Sequence, residues 1–126
     1  MAFEHIIDHG IRLVVVRGSE KGSIEETVDS AHRLLEDQSI HKDYTFMFVV
    51  DDIDLHPTPD QMLSIAFLLR TMLERFSNRM AIVTSQIGRV TAANLIAFEA
   101  DKGGGRLRVF TAESEAKKWL LQATRE

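Results

Sequence analysis

Cysteine is absent from the 126 residues, so the chain forms no disulfide, offers no thiolate nucleophile and holds no cysteine-ligated zinc or iron–sulfur centre. Any metal chemistry would rest on histidine and carboxylates. Apolar runs are short: none approaches the roughly 18 residues of a membrane span. Met1-Ala2-Phe3-Glu4 lacks the basic-then-apolar pattern of a secretory signal. The expected location is the cytoplasm, with no membrane span. Basic runs are missing too, and a formal charge of −4 spread along the chain argues against affinity for nucleic acid or anionic membranes. Linkers, repeats and low-complexity segments are absent. What remains is an ordinary globular composition, 44% hydrophobic and 27% charged. At this length a single core can bury roughly two-thirds of the unfolded surface, so one domain over residues 1–126 is expected.

Phe3 to Asp8 and Ile11 to Arg17 are β-rich runs separated by His9-Gly10, a spacing that suits a tight hairpin. Ser23 with Glu26 gives a capping-box signature, and Ile24, Val28, Ala31, Leu34 and Leu35 follow at helical spacing. The run Thr45 to Val50 is apolar on both faces, as in a central parallel strand, and ends at Asp51-Asp52. Thr58, with Pro59 at the first helical position and Gln61 three residues after the cap, starts a second helix that runs to about Ser77. Met80 to Val83 is a short apolar run, and Val90 to Asp101 is a third helix. Gly103-Gly104-Gly105 stops that helix before the strand containing Leu107, Val109 and Phe110. Thr111 caps a last helix whose Ala112, Ala116, Trp119, Leu120 and Ala123 share one face. The order ββαβαβαβα predicts an α/β fold with an N-terminal hairpin, four helices and a five-stranded sheet whose strands two to five are parallel.

This element order, the acidic end of strand three and the closing segment together carry a resemblance. The closing segment is Arg108-Val109-Phe110-Thr111 followed by Glu115-Ala116-Lys117-Lys118-Trp119-Leu120. From about Phe3 to Leu121 the chain resembles the STAS family (sulphate transporter and anti-sigma factor antagonist domains), in particular its stand-alone bacterial SpoIIAA-like branch. The resemblance implies a STAS-like domain acting as a regulatory or ligand-sensing module and not as an enzyme. One departure touches regulation. Anti-sigma antagonists of that family carry a phosphorylatable serine in an Asp-Ser-x-Gly turn, whereas this chain has Leu55-His56-Pro57-Thr58-Pro59-Asp60 at the corresponding place. Thr58 is the hydroxyl there. A phosphate on it would meet the helix dipole favourably, but a plain helix cap explains Thr58 better.

Asp51, Asp52, Asp54 and His56 follow a parallel strand's carboxyl end, where open α/β sheets place ligands. Asp51, Asp54 and His56 could hold Mg²⁺ or Mn²⁺ and support hydrolase or phosphotransferase chemistry; the same residues would also simply solvate a loop. A receiver-like phosphoacceptor pairing Asp51 or Asp52 with Thr84 or Ser85 lacks its supports, since Arg17-Gly18 and Phe110-Thr111 stand where acidic partners and a lysine are wanted. Gly88 and Arg89, in the turn from strand four into helix three, form a candidate anion site at a helix start, without a glycine-rich phosphate motif. The histidines at 5, 9, 32, 41 and 56 include no i, i+4 pair, and no Gly-x-Ser-x-Gly elbow anchors a catalytic triad. Nothing in the sequence calls for a cofactor.

The strongest departure from an ordinary pattern is an apolar surplus. At about 100° per residue, Met62, Ile65, Ala66, Leu69, Met72, Leu73 and Phe76 form the core stripe of helix two, leaving Leu63 and Phe67 outside it. On helix three, Val90, Ala93, Ile96, Ala97 and Ala100 suit close packing on a sheet, and Leu95 and Phe98 point elsewhere. Either the two helices pack these four side chains against each other, or they form an interface or pocket for a second copy, another regulatory protein or a small apolar ligand.

Overall fold

The computed structural model describes residues 3–18, 24–50, 58–76, 79–85, 87–102 and 104–123, with side chains for all of these except 3, 24–27, 87–89 and 123. The elements run β1 (Phe3–Asp8), β2 (Leu13–Gly18), α1 (Ile24–Glu36), β3 (Thr45–Val49), α2 (Pro59–Arg75), β4 (Met80–Val83), α3 (Ile87–Asp101), β5 (Leu107–Phe110) and α4 (Glu113–Ala123). One five-stranded sheet has the order β1-β2-β3-β4-β5. β1 is antiparallel to β2, and every later neighbour pair is parallel. The expected α/β single domain with a hairpin, a mostly parallel sheet and four helices is therefore what the chain adopts.

Strand order explains the layering. When each new parallel strand is added on the same side of its predecessor, right-handed crossovers place successive helices on one face. Accordingly α1, α2 and α3 share a core with Val14, Val16, Phe46, Met80, Ile82 and Leu107, the strand residues of one parity. Residues of the other parity, Leu13, Met47, Val49, Ala81 and Val83, pack with Ala116 and Leu120 of α4 on the opposite face. β3 and β4 are covered on both sides, which is why Thr45 to Val50 carries no polar alternation. At the centre of the larger core Phe46 and Phe76, both fully buried, lie 4.6 Å apart between ring centroids.

Three boundaries differ from expectation, each for a local reason. The β1–β2 turn is not a two-residue His9-Gly10 hairpin: Asp8 pairs with Leu13, leaving a four-residue loop. Asp8 Oδ1 accepts from the Gly10 and Ile11 amides at 2.9 and 3.3 Å, and Arg12 takes a left-handed φ of 55°; an aspartate-anchored turn outweighs the β-propensity of Ile11. The third helix begins at Ile87 rather than Val90. The fourth begins at Glu113, so Thr111 stands outside it and the Ala116 amide bonds the Ala112 carbonyl instead.

The end of α3 is set by one carboxylate. Asp101 Oδ2 accepts from the amides of Arg106 and Leu107 at 2.8 and 3.2 Å, tying the start of β5 to the helix that precedes it. A Cβ on Gly104 would stand 2.7 Å from Asp101 Oδ1, and Gly105 has φ 81°, so both described glycines of the stop are needed for the close turn. Across the helices, the Arg70 guanidinium donates to the carbonyls of Glu99 and Ala100. It thereby satisfies open carbonyls at the end of α3 and locks α2 beside it.

Candidate functional site

α2 and α3 pack side by side on the sheet. Most of each expected core stripe is buried: Ala66, Leu69, Met72 and Leu73 on α2, Phe76 at its C-cap, and Ala93, Ile96, Ala97 and Ala100 on α3, with Met62, Ile65 and Val90 half-buried. Leu68 is buried as well, so the buried arc of α2 is wider than the expected stripe. The remaining large apolar side chains point out. Leu63 is 56% exposed, Phe67 70%, Leu95 56% and Phe98 62%. The helix–helix contact does not absorb them. Alanines on the inner face of α3 let that helix sit close to the sheet, and its larger residues are left on the outer side.

Leu63 and Leu95 come together at the rim of a shallow groove of about 240 Å³, lined by Pro59, Met62, Leu63, Leu95, Ile96 and Glu99. The lining is almost wholly apolar. Glu99 closes one side and accepts a 2.8 Å hydrogen bond from Lys102 Nζ. That bond and the lysine's charge hold the Glu99 carboxyl below its ordinary range. The groove therefore has an apolar floor and one carboxylate that is already paired. It is suited to apolar contact and supplies no free acid, base or nucleophile for chemistry.

The other sequence candidates fall differently. Thr58 is the N-cap of α2: its Oγ1 accepts from the Gln61 amide at 3.2 Å, and Gln61 Oε1 accepts from the Thr58 amide at 2.9 Å. This is a complete capping box. Gly88 and Arg89 lie in the first turn of α3, and their side chains lie outside the described residues. Asp51, Asp52, Asp54 and His56 lie outside them altogether. Among the described residues no three histidines or carboxylates gather as a metal site, and no helix is long and apolar enough to cross a membrane.

One cluster was invisible in the sequence. His9 Nδ1 and the Tyr44 hydroxyl share a 2.6 Å hydrogen bond. The His9 and His41 rings both meet the Tyr44 ring edge-on, with centroids 5.7 and 5.8 Å away. The cluster joins the hairpin loop to the segment before β3. Tyr44 is 3% exposed, and its contacts with His9 and His41 tie the two segments together. A spacing rule could not find it, because His9 and Tyr44 are 35 residues apart and only strand pairing brings them together. Comparison with protein-family models finds no match for this chain, and comparison with curated proteins finds none either.

Proposed function

We propose that the chain is a non-enzymatic, STAS-like regulatory or ligand-sensing module that acts by binding through the outer face of α2 and α3. The observation that carries this reading is the exposure of Leu63, Phe67, Leu95 and Phe98 on two adjoining helices beside an apolar groove. Single exposed apolar residues are normal; four large ones in one area mark an interaction surface. The STAS-like reading is supported by the element order and the sequentially ordered sheet, together with the closing Arg108 to Leu120 segment.

Native mass spectrometry of the purified protein reports oligomeric state and retained small molecules in one spectrum. Replacing Phe67 and Phe98 together by serine is expected to change one of these while the circular dichroism spectrum stays that of the parent. If the double variant matches the parent in both, the binding reading fails.

A further inference from the structure

The binding reading leaves the partner open, and the geometry points to a second copy of this chain: we propose that two copies pair through the outer faces of α2 and α3 about a two-fold axis. Area is the first argument. An aromatic side chain offers 150–250 Å², so the four exposures leave on the order of 500 Å² of contiguous apolar surface. A stable interface takes about 800 Å² from each partner, and in homodimers about 65% of it is apolar, which is again roughly 500 Å². The patch has the size and the composition that one half of a homodimer needs.

The surroundings of the patch are the second argument. Burying a polar group costs free energy unless it is already hydrogen-bonded. Ser64 and Thr71, next to Phe67 on α2, donate their hydroxyls to the Asp60 and Phe67 carbonyls of their own helix, each at 3.1 Å. They enter an interface already satisfied. The charges nearby are committed too: Lys102 to Glu99, and Arg70 to the carbonyls of α3. The exposed Asp60 and Glu74 stand one turn before Leu63 and two turns after Phe67 on the same side of α2, at the rim of the proposed contact, where charges keep their water.

The size and lining of the groove separate a second copy from a small ligand. The groove, at about 240 Å³, lies below the 300–1,000 Å³ usual for ligand pockets, and neither Phe67 nor Phe98 lines it. An occupant of the groove would leave both phenyl rings in water. A partner surface bearing the same ridges covers all four side chains, because an isologous contact sets each apolar row against its equivalent.

Sedimentation equilibrium of the full chain tests the proposal, with Phe67→Glu and Phe98→Glu as patch variants and Ile6→Glu as control; Ile6 is equally exposed, at 62%, but lies on β1. The parent is expected to be a dimer at micromolar concentration. A side chain at the centre of an interface is worth about thirty-fold in affinity, and in a two-fold dimer each substitution enters twice. Either patch variant should then raise the dissociation constant by roughly a thousand-fold and run as a monomer, while Ile6→Glu stays dimeric. Phe98→Ala serves as the second variant should glutamate disturb folding, which circular dichroism reports. A parent that is monomeric at hundreds of micromolar overturns the proposal, as does a dimer that survives both patch variants. Failure of the partner and failure of the binding reading are distinguishable. A monomeric parent that retains an apolar molecule, lost when Leu63 or Leu95 of the groove is replaced by glutamate, removes only the second copy; a monomer that retains nothing, and whose Phe67 and Phe98 can both be replaced by serine without changing what it binds, removes both.

Discussion

The start of α2 gives a sharp test, because Thr58 has two competing roles and the structure shows one of them in full. Thr58→Ala deletes the Oγ1 acceptor that meets the Gln61 amide at 3.2 Å and leaves that donor to water. Both partners lie at the surface, and loss of a threonine N-cap costs about 1 kcal/mol. For a chain of this length that is about 4 °C in melting temperature. In urea, with a slope of roughly 2 kcal/mol per molar, the midpoint falls by about 0.5 M with the slope unchanged. Thr58→Asp should retain most of the stability, since aspartate caps as well as threonine and its charge meets the positive end of the helix dipole. If Thr58→Ala unfolds within about 0.3 kcal/mol of the parent, below the range for a working cap, the capping box contributes nothing and the reasoning is wrong. It is equally wrong if Thr58→Asp loses as much as Thr58→Ala. A plain cap further requires that Thr58→Asp leave the assembly state untouched; a change there with stability intact would be the signature of a phosphate-responsive position.

Phe46→Ala should be among the most damaging single changes, costing about 3–5 kcal/mol by urea unfolding, because Phe46 is fully buried and packs 4.6 Å from Phe76. Asp101→Ala is expected to cost about 2 kcal/mol, since it strips the acceptor from the Arg106 and Leu107 amides; Asp101→Asn, which keeps one oxygen, should cost less by the same assay. The Asp37 carboxyl is held below its ordinary pKa, first by the side-chain hydrogen bond from Ser39 and then by the Ser39 amide. A depressed carboxyl stabilises the fold above the unfolded pKa of about 3.9 and loses that contribution as pH falls through the folded value. The gap between parent and Ser39→Ala should therefore be small but present at pH 7 and close as the pH is taken below that window; a gap that widens on acidification contradicts the assignment.

Much of the fold was legible because its signals are local and repeated. The apolar parity of Thr45 to Val49 required covering on both faces, and α4 on one side with α2 and α3 on the other supply it. The capping box at Thr58 and Gln61 was readable to the residue because both bonds lie within one turn. What failed was local competition between rules. Ile11 reads as strand until the Asp8 carboxylate claims its amide, and Thr111 reads as a cap until the chain needs two more residues to turn from β5 into α4. The surplus on α2 and α3 was legible as residues left over from a core stripe, but whether the helices hid them was not. That outcome depends on how closely α3 approaches the sheet, which its inner alanines decide. The meeting of His9 and His41 on Tyr44 was out of reach, since the pairing of β1, β2 and β3 brings those segments together and spacing says nothing of it.

Ile6 is the right control for the α2–α3 face because it is exposed for a different reason. It pairs with Val15 of β2 and points to the face on which α4 packs, but α4 packs mainly over β3, β4 and β5 and meets β2 through the Arg17–Glu113 ion pair. Ile6 lies beyond its cover and is exposed, on a strand where Ile7 packs on the opposite face and Glu4, His5 and Asp8 are polar and exposed. Such charged edges discourage strand addition, and the other edge strand, β5, is only four residues long and carries an exposed Arg108. Neither edge suits pairing with another copy. The helix face differs: its four large apolar residues lie on adjoining helices, the hydroxyls of Ser64 and Thr71 are satisfied within their own helix, and Lys102 is paired with Glu99. If Ile6→Glu dissociates the dimer while Phe98→Glu leaves it intact, the copies meet at the hairpin edge. The charges on β1 would then have to be neutralised across the contact, which raised salt would weaken. If Phe98→Glu alone dissociates it, the contact is dominated by apolar burial and should persist at high salt.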